Sequence, residues 1–119
     1  MRINAEDPAR GFIPCPGRIA RFSPPLGPGV RVDTWVEDGC VISPFYDSLL
    51  GKLVVWDVDR QRAIARSLRA LGELVVEGVP TTAAAAIDIL RSEEFQSGRY
   101  STSYLAEAAG RLPALRETA

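Results

Sequence analysis

The side-chain period of this chain changes from two to about 3.6 at Asp57-Val58-Asp59, and that change restricts the folds open to it. Before it, apolar residues alternate. From Gly29 to Glu37, Val30, Val32, Thr34 and Val36 fall on one face, and Arg31, Asp33, Trp35 and Glu37 on the other. After it, the apolar residues recur every three or four positions. Asp59 is placed as an N-cap for a helix from Arg60 to about Gly72, with Ile64, Leu68 and Leu71 in one stripe. Arg60, Arg62, Arg66 and Arg69 occupy the remaining surface and read as a solvated basic face. Strands followed by helices, without regular alternation between them, predict an α+β domain.

The other segments fit that division. Arg2 and Asn4 point to one side of a short first strand and Ile3 and Ala5 to the other, and Glu6-Asp7-Pro8 ends it. By pattern alone Arg2 is an exposed strand arginine. Proline-rich loops flank a short strand from Arg18 to Phe22, and Asp38-Gly39 is a hairpin-type turn leading to Cys40-Val41-Ile42. In Ser43–Trp56, a polar turn at Asp47-Ser48 precedes a buried strand, and Gly51 sits where a bulge or a close backbone approach needs it. Leu74 to Val79 returns to strand. Thr81 or Thr82 caps a second helix, Ala83 to about Arg91, with Ile87 and Leu90 inward. A loop through Gly98 leads to a third helix, capped by Ser101 or Thr102 and ending near Gly110. Residues 1–110 are read as the domain and 111–119 as a flexible tail. One core is expected to hold Val30, Val32, Val36, Leu53, Val55, Ile64, Leu68 and Leu71.

Composition removes several chemistries. There is no histidine, so a Ser-His-Asp triad, a Cys-His pair and a His-based zinc site are impossible within the chain. Cys15 and Cys40 are not spaced as a CxxC unit and are expected to be small buried hydrophobes rather than a disulfide. Net charge is −1, and thirteen of the fourteen basic residues are dispersed arginines, so no nucleic-acid footprint is expected. No apolar run approaches the ~20 residues that span a bilayer, and the default compartment is cytoplasmic. There is no GxGxxG and no GxxxxGK[ST] phosphate loop. The adjacent carboxylates Glu6-Asp7, Glu37-Asp38 and Glu93-Glu94 are weighed as surface charge.

A series of motifs goes further. RINAEDP stands at Arg2–Pro8, PG-R-I at Pro16–Ile19, GVR at Gly29–Arg31 and YDSLLGKL at Tyr46–Leu53. AIAR follows at Ala63–Arg66, EGVPTT at Glu77–Thr82, and EEFxxGxxxTSYL at Glu93–Leu105. In this order the chain resembles the C-terminal domain of biotin carboxylase, from Arg2 to about Leu105.

The resemblance implies a small antiparallel β barrel-sandwich hybrid (a rudiment single hybrid motif) with helices packed alongside. It implies that Arg2 lies beside the ureido ring of biotin and stabilises its enolate-like form, as both a catalytic and a substrate-binding residue. A planar, permanently charged guanidinium suits an oxygen on which negative charge develops. It further implies that Arg31 lies near the subunit interface of a homodimer. The chain departs from the pattern at Pro28, where an aromatic residue is often found, and at Thr82, where asparagine often follows the cap threonine. The family's ATP-grasp portion, which binds ATP and magnesium, precedes this domain and is not in the chain. Lys52, the sole lysine, is not in the Met-Lys-Met setting of a biotinyl carrier. The expected partners are therefore that ATP-grasp portion and a biotin carboxyl carrier domain, in an acetyl- or propionyl-CoA carboxylase. No metal ligand is assigned. The alternative reading is a non-catalytic oligomerisation or docking module of the same fold. What precedes Met1 in the gene separates the two.

Overall fold

The computed structural model describes residues 1–117 and is an α+β domain built on small antiparallel sheets. Its elements are β1 (Arg2–Asn4), β2 (Glu6–Asp7), β3 (Ile13–Pro14), β4 (Gly17–Arg18), β5 (Arg21–Ser23), β6 (Val30–Thr34), β7 (Val41–Ile42) and β8 (Leu49–Val55). Helix α1 (Arg60–Glu73), β9 (Val75–Glu77), α2 (Ala83–Arg91), α3 (Glu93–Ser97) and α4 (Tyr104–Ala108) follow. Among the described residues, no helix is long and apolar enough to cross a membrane.

The largest sheet has three strands in the order β1-β8-β6. β8 lies at its centre, with Leu50 and Leu53 almost fully buried and Lys52 exposed; strict alternation would put Leu50 on the face of Lys52, and the irregularity of the β1 pairing at Leu50 breaks that phase. Gly51 meets both expectations for it. The β1–β8 register slips between Ile3 and Asn4, opposite Gly51 and Leu49. A Cβ at Gly51 would also lie 2.9 Å from the Asp33 carbonyl oxygen on the neighbouring strand. The buried strand expected after the Asp47-Ser48 turn begins at Leu49 and ends at Val55.

Asp38-Gly39 does not join two strands of one hairpin. β7 pairs with β4, and the Asp38 carboxylate accepts from the Phe22 amide. The strand expected from Arg18 to Phe22 is broken by a bend at Ala20, so that Gly17–Ser23 holds two short strands. The first pairs with β7 and the second with β9. Between them Ile19 donates to Cys40, and Ala20 to Glu77. Ile19, between the two strands, is wholly buried in the core.

Asp59 caps α1 through its side chain, accepting from the Arg62 amide. The predicted core residues share one cluster: Val36, Leu53, Ile64 and Leu71 are buried, and Val30, Val32, Val55 and Leu68 pack against them partly exposed. Ser67 and Ala70 are the buried neighbours that the apolar stripe did not include. On the basic face Arg60, Arg62 and Arg69 are exposed as expected, and Arg66 is half-buried. Arg60 lies over the Phe95 ring, 4.9 Å from its centroid, and donates to the carbonyls of Phe95 and Gln96. Arg66 bonds back to Trp56 and Asp57. The long arginine stem lets each guanidinium reach over the surface of its own helix.

Helix α2 runs from Ala83 to Arg91, and Thr82 sits at its N-cap without a side-chain capping bond. Glu93–Ser97, read as part of a loop, is a helical turn capped by Ser92 and ended by Gly98 in the left-handed conformation. Ser103 rather than Ser101 or Thr102 precedes α4. Residues 111–117, expected to be loose, return to the body. Leu112 is buried beside Tyr104 and Ala108, and Ala114 donates to the Asp88 carboxylate. Residues 118 and 119 lie outside the described residues. Cys15 and Cys40 are both free and half-buried rather than buried, since each sits in a loop at the edge of a short strand.

Candidate functional site

The outward face of the three-stranded sheet gathers charge. In register across it, Arg2 of β1 lies opposite Lys52 of β8, and Lys52 lies opposite Asp33 of β6. All three side chains are exposed, because each occupies the outward phase of strands whose inward residues fill the core. With strands ~4.8 Å apart, Arg2 and Asp33 are separated by roughly 10 Å across the sheet.

Arg31, two residues from Asp33 on the same face, binds it with a two-pronged contact. Its Nε donates to Oδ1 at 2.8 Å and its Nη2 to Oδ2 at 2.9 Å. That hydrogen bonding, and secondarily the charge, holds Arg31 above its ordinary pKa. Asp33 is held below the usual carboxylate range, first by the Arg31 hydrogen bond and also by the charges of Arg31 and Lys52, against the opposing effect of burial. In water an exposed pair of this kind contributes little to stability. Its main consequence is that Asp33 is occupied by Arg31. Arg2 has no ion-pair partner among the described residues.

The sheet thus brings the two predicted site residues, Arg2 and Arg31, onto one face and separates them by β8. Lys52, between them, had been seen only as an isolated lysine outside a carrier motif. The register that sets it beside Arg2 is a long-range fact that no local pattern carries.

Two polar links hold the Arg2 strand. Glu6 Oε1 accepts from Asn4 Nδ2 at 3.0 Å and from Ser48 Oγ at 2.6 Å, and the Ala5 amide donates to the Ser48 carbonyl at 2.8 Å. Glu6, weighed as surface charge, therefore joins the first motif to the YDSLLGKL segment. Asp7 and Asp38 likewise accept from backbone amides, and Glu94 pairs with Arg111. Among the described residues no group of three Cys, Asp or Glu side chains is placed to hold a metal ion.

These features define a class: a small α+β domain that offers an unpaired arginine and a lysine from an open sheet face, with no nucleotide-binding loop of its own. Residues 1–107 match the family described as the biotin carboxylase C-terminal domain, and the chain belongs to that family. It is 50% identical over 106 residues to the biotin carboxylase of Nostoc sp. (strain PCC 7120 / SAG 25.82 / UTEX 2576), covering 89% of this chain and 24% of that protein. It is 47% identical over 106 residues to a pyruvate carboxylase subunit of Methanothermobacter thermautotrophicus, covering 89% of this chain and 22% of that protein. The structure is similar to the biotin carboxylase domain dimer of Hydrogenobacter thermophilus 2-oxoglutarate carboxylase, in complex with MgADP, ADP and bicarbonate. The TM-score is 0.91 at 38% identity, over 99% of this chain and 25% of that one. The chain spans about a quarter of the length of these relatives.

Proposed function

We propose that this chain is the C-terminal part of a biotin carboxylase subunit, which carboxylates biotin with ATP and bicarbonate, and that Arg2 acts on biotin. The observation that carries the reading is the setting of Arg2 within a family match spanning residues 1–107: exposed, without an ion-pair partner among the described residues, and beside Lys52. Such a guanidinium is free to donate to an oxygen that gains negative charge in the reaction. Lys52 adds positive potential at the same place.

Biotin, carried on a partner domain, supplies the acceptor nitrogen. This chain's contribution is to hold a fixed donor where charge develops. ATP and magnesium are the other requirements of this reaction. They belong to the ATP-grasp portion, with the biotin carboxyl carrier domain as second partner.

Arg31 is placed at a homodimer contact, a role that its exposure on the sheet face supports. The four small sheets are read as a barrel-sandwich hybrid. The cytoplasm is the inferred compartment. The acetyl- or propionyl-CoA acceptor is selected outside this domain, because relatives named for pyruvate and 2-oxoglutarate are similar to it over most of its length.

The purified 119-residue chain tests this reading. It is expected to release no ADP from ATP with bicarbonate and biotin, whereas the complete subunit does. Biotin-dependent ADP release by the chain alone would overturn it.

A further inference from the structure

The strand that carries Arg2 has two edges, and only one is covered by another strand. β8 pairs with the first. The second is met by a single residue, Thr82, at the start of α2. The Asn4 amide donates to Thr82 Oγ1 at 3.1 Å, and the Thr82 amide donates to the Asn4 carbonyl at 3.1 Å. The same hydroxyl donates to the Arg2 carbonyl at 3.3 Å. One threonine thus bonds to the main chain of both ends of a three-residue strand, with its hydroxyl acting as donor and acceptor at once.

These bonds divert the hydroxyl from its local role. Thr82 is the N-cap residue of α2, yet its side chain caps nothing. The Ala83 amide instead bonds to Thr81 Oγ1 at 3.3 Å. A threonine at an N-cap ordinarily spends its oxygen on the first helical turn. Here it is spent on the backbone of Arg2 and Asn4. Arg2 and Thr82 are 80 apart in sequence, so the link also ties the start of α2 to the sheet face.

We propose that Thr82 is a positioning residue for Arg2: its hydroxyl fixes the backbone from which the guanidinium projects, and so sets where the charged donor meets biotin. This rests on the reading of Arg2 given above. A short strand hydrogen-bonded along one edge only would leave the Arg2 main chain free to shift. Displacement of a catalytic group by about an ångström costs rate rather than fold.

The test uses the complete subunit with Thr82→Val and Thr82→Ala, which remove the hydroxyl with and without conserving volume. Thr82→Ser keeps it, and Arg2→Gln and Arg2→Gln/Thr82→Val complete the set. Melting temperature, kcat and KM for free biotin, and biotin-independent, bicarbonate-dependent ADP release are measured on each. Loss of the hydroxyl is expected to lower biotin carboxylation ~10- to 100-fold, mainly in kcat, with a much smaller fall in biotin-independent ADP release. Thr82→Ser is expected to recover most of the rate. The double variant is expected to be no slower than Arg2→Gln, because placement has no effect once the guanidinium is gone.

Additive losses in the double variant, equal losses in both half-reactions, or a Thr82→Ser variant as slow as Thr82→Val would overturn the proposal. So would failure of both Thr82→Val and Thr82→Ala to fold, which would assign the hydroxyl to stability. A large Arg2→Gln loss combined with additivity sinks the role of Thr82 alone. An Arg2→Gln variant with wild-type biotin carboxylation sinks the reading of Arg2 and this proposal with it.

Discussion

Arg66 of α1 reaches back to Asp57, with Nη2 3.0 Å from Oδ2, and its Nη1 donates to the Trp56 carbonyl at 2.8 Å. Asp57 keeps only 12% of its side-chain exposure and Arg66 27%, so this pair is better shielded than the other ion pairs of the sheet and of α1. It fastens the helix to the end of the central strand. Gly29 belongs to the same junction: a Cβ there would overlap the Arg66 guanidinium and come within 2.5 Å of the Trp56 carbonyl.

Arg66→Ala removes a charge-assisted bond to a mostly buried carboxylate. A loss of about 1.5–3 kcal/mol is expected, because Asp57 would remain without its partner. Arg66→Lys should recover only part, since an ammonium cannot serve both the carbonyl and the carboxylate in the same fork geometry. Denaturant unfolding of the two variants checks the order.

The helix stripe makes a graded prediction. Leu71 is 3% exposed, whereas Leu68 is only partly buried at the edge of the core. Leu71→Ala is expected to cost about 2–5 kcal/mol, the range for a fully buried leucine, and Leu68→Ala less than ~2 kcal/mol. Equal melting shifts for the two would contradict the observed helix orientation.

Asp33 gives a pH prediction. Its folded pKa is lowered, chiefly by the hydrogen bond from Arg31. Its contribution to stability is therefore present above the unfolded pKa and lost as pH falls through the depressed folded value. The change lies below the ordinary carboxylate range, and neutral pH does not report it. Carbon-detected NMR titration of the Asp33 carboxyl should show the low value, and Arg31→Gln should return it upward. A titration unaffected by Arg31→Gln would mean that the pair does not form in solution.

The parts of the fold that depend on local periodicity were legible from residues alone. The period change at Asp57–Asp59 located α1 and its Asp59 cap, and the spacing of Ile87 and Leu90 located α2. Partnerships between distant segments were not. The Gly17–Ser23 run alternates like one strand, and nothing in it announces that it serves two sheets. Thr82 reads as a helix cap because capping is a short-range habit, while its actual bonds go 78 and 80 residues back. Arg66 read as solvated because charge pattern cannot reveal a carbonyl or carboxylate waiting on another segment. Leu112 lacked a visible partner until α4 brought Tyr104 and Ala108 beside it. For the candidate site, motif order pointed to Arg2 and Arg31. The neighbourly position of Lys52 needed the strand register.

The central claim concerns Arg2, and one variant assayed twice tests it most directly. In the complete subunit, Arg2→Gln is expected to lower biotin carboxylation by about 10²–10³-fold, the usual cost of losing one donor to a developing oxyanion. Arg2→Lys should not restore it fully, because the planar fork is lost. Bicarbonate-dependent ATP hydrolysis without biotin should suffer much less, since that half-reaction draws on groups outside this domain. Equal losses in the two assays, or no loss in biotin carboxylation, would contradict the account and leave Arg2 an ordinary strand arginine.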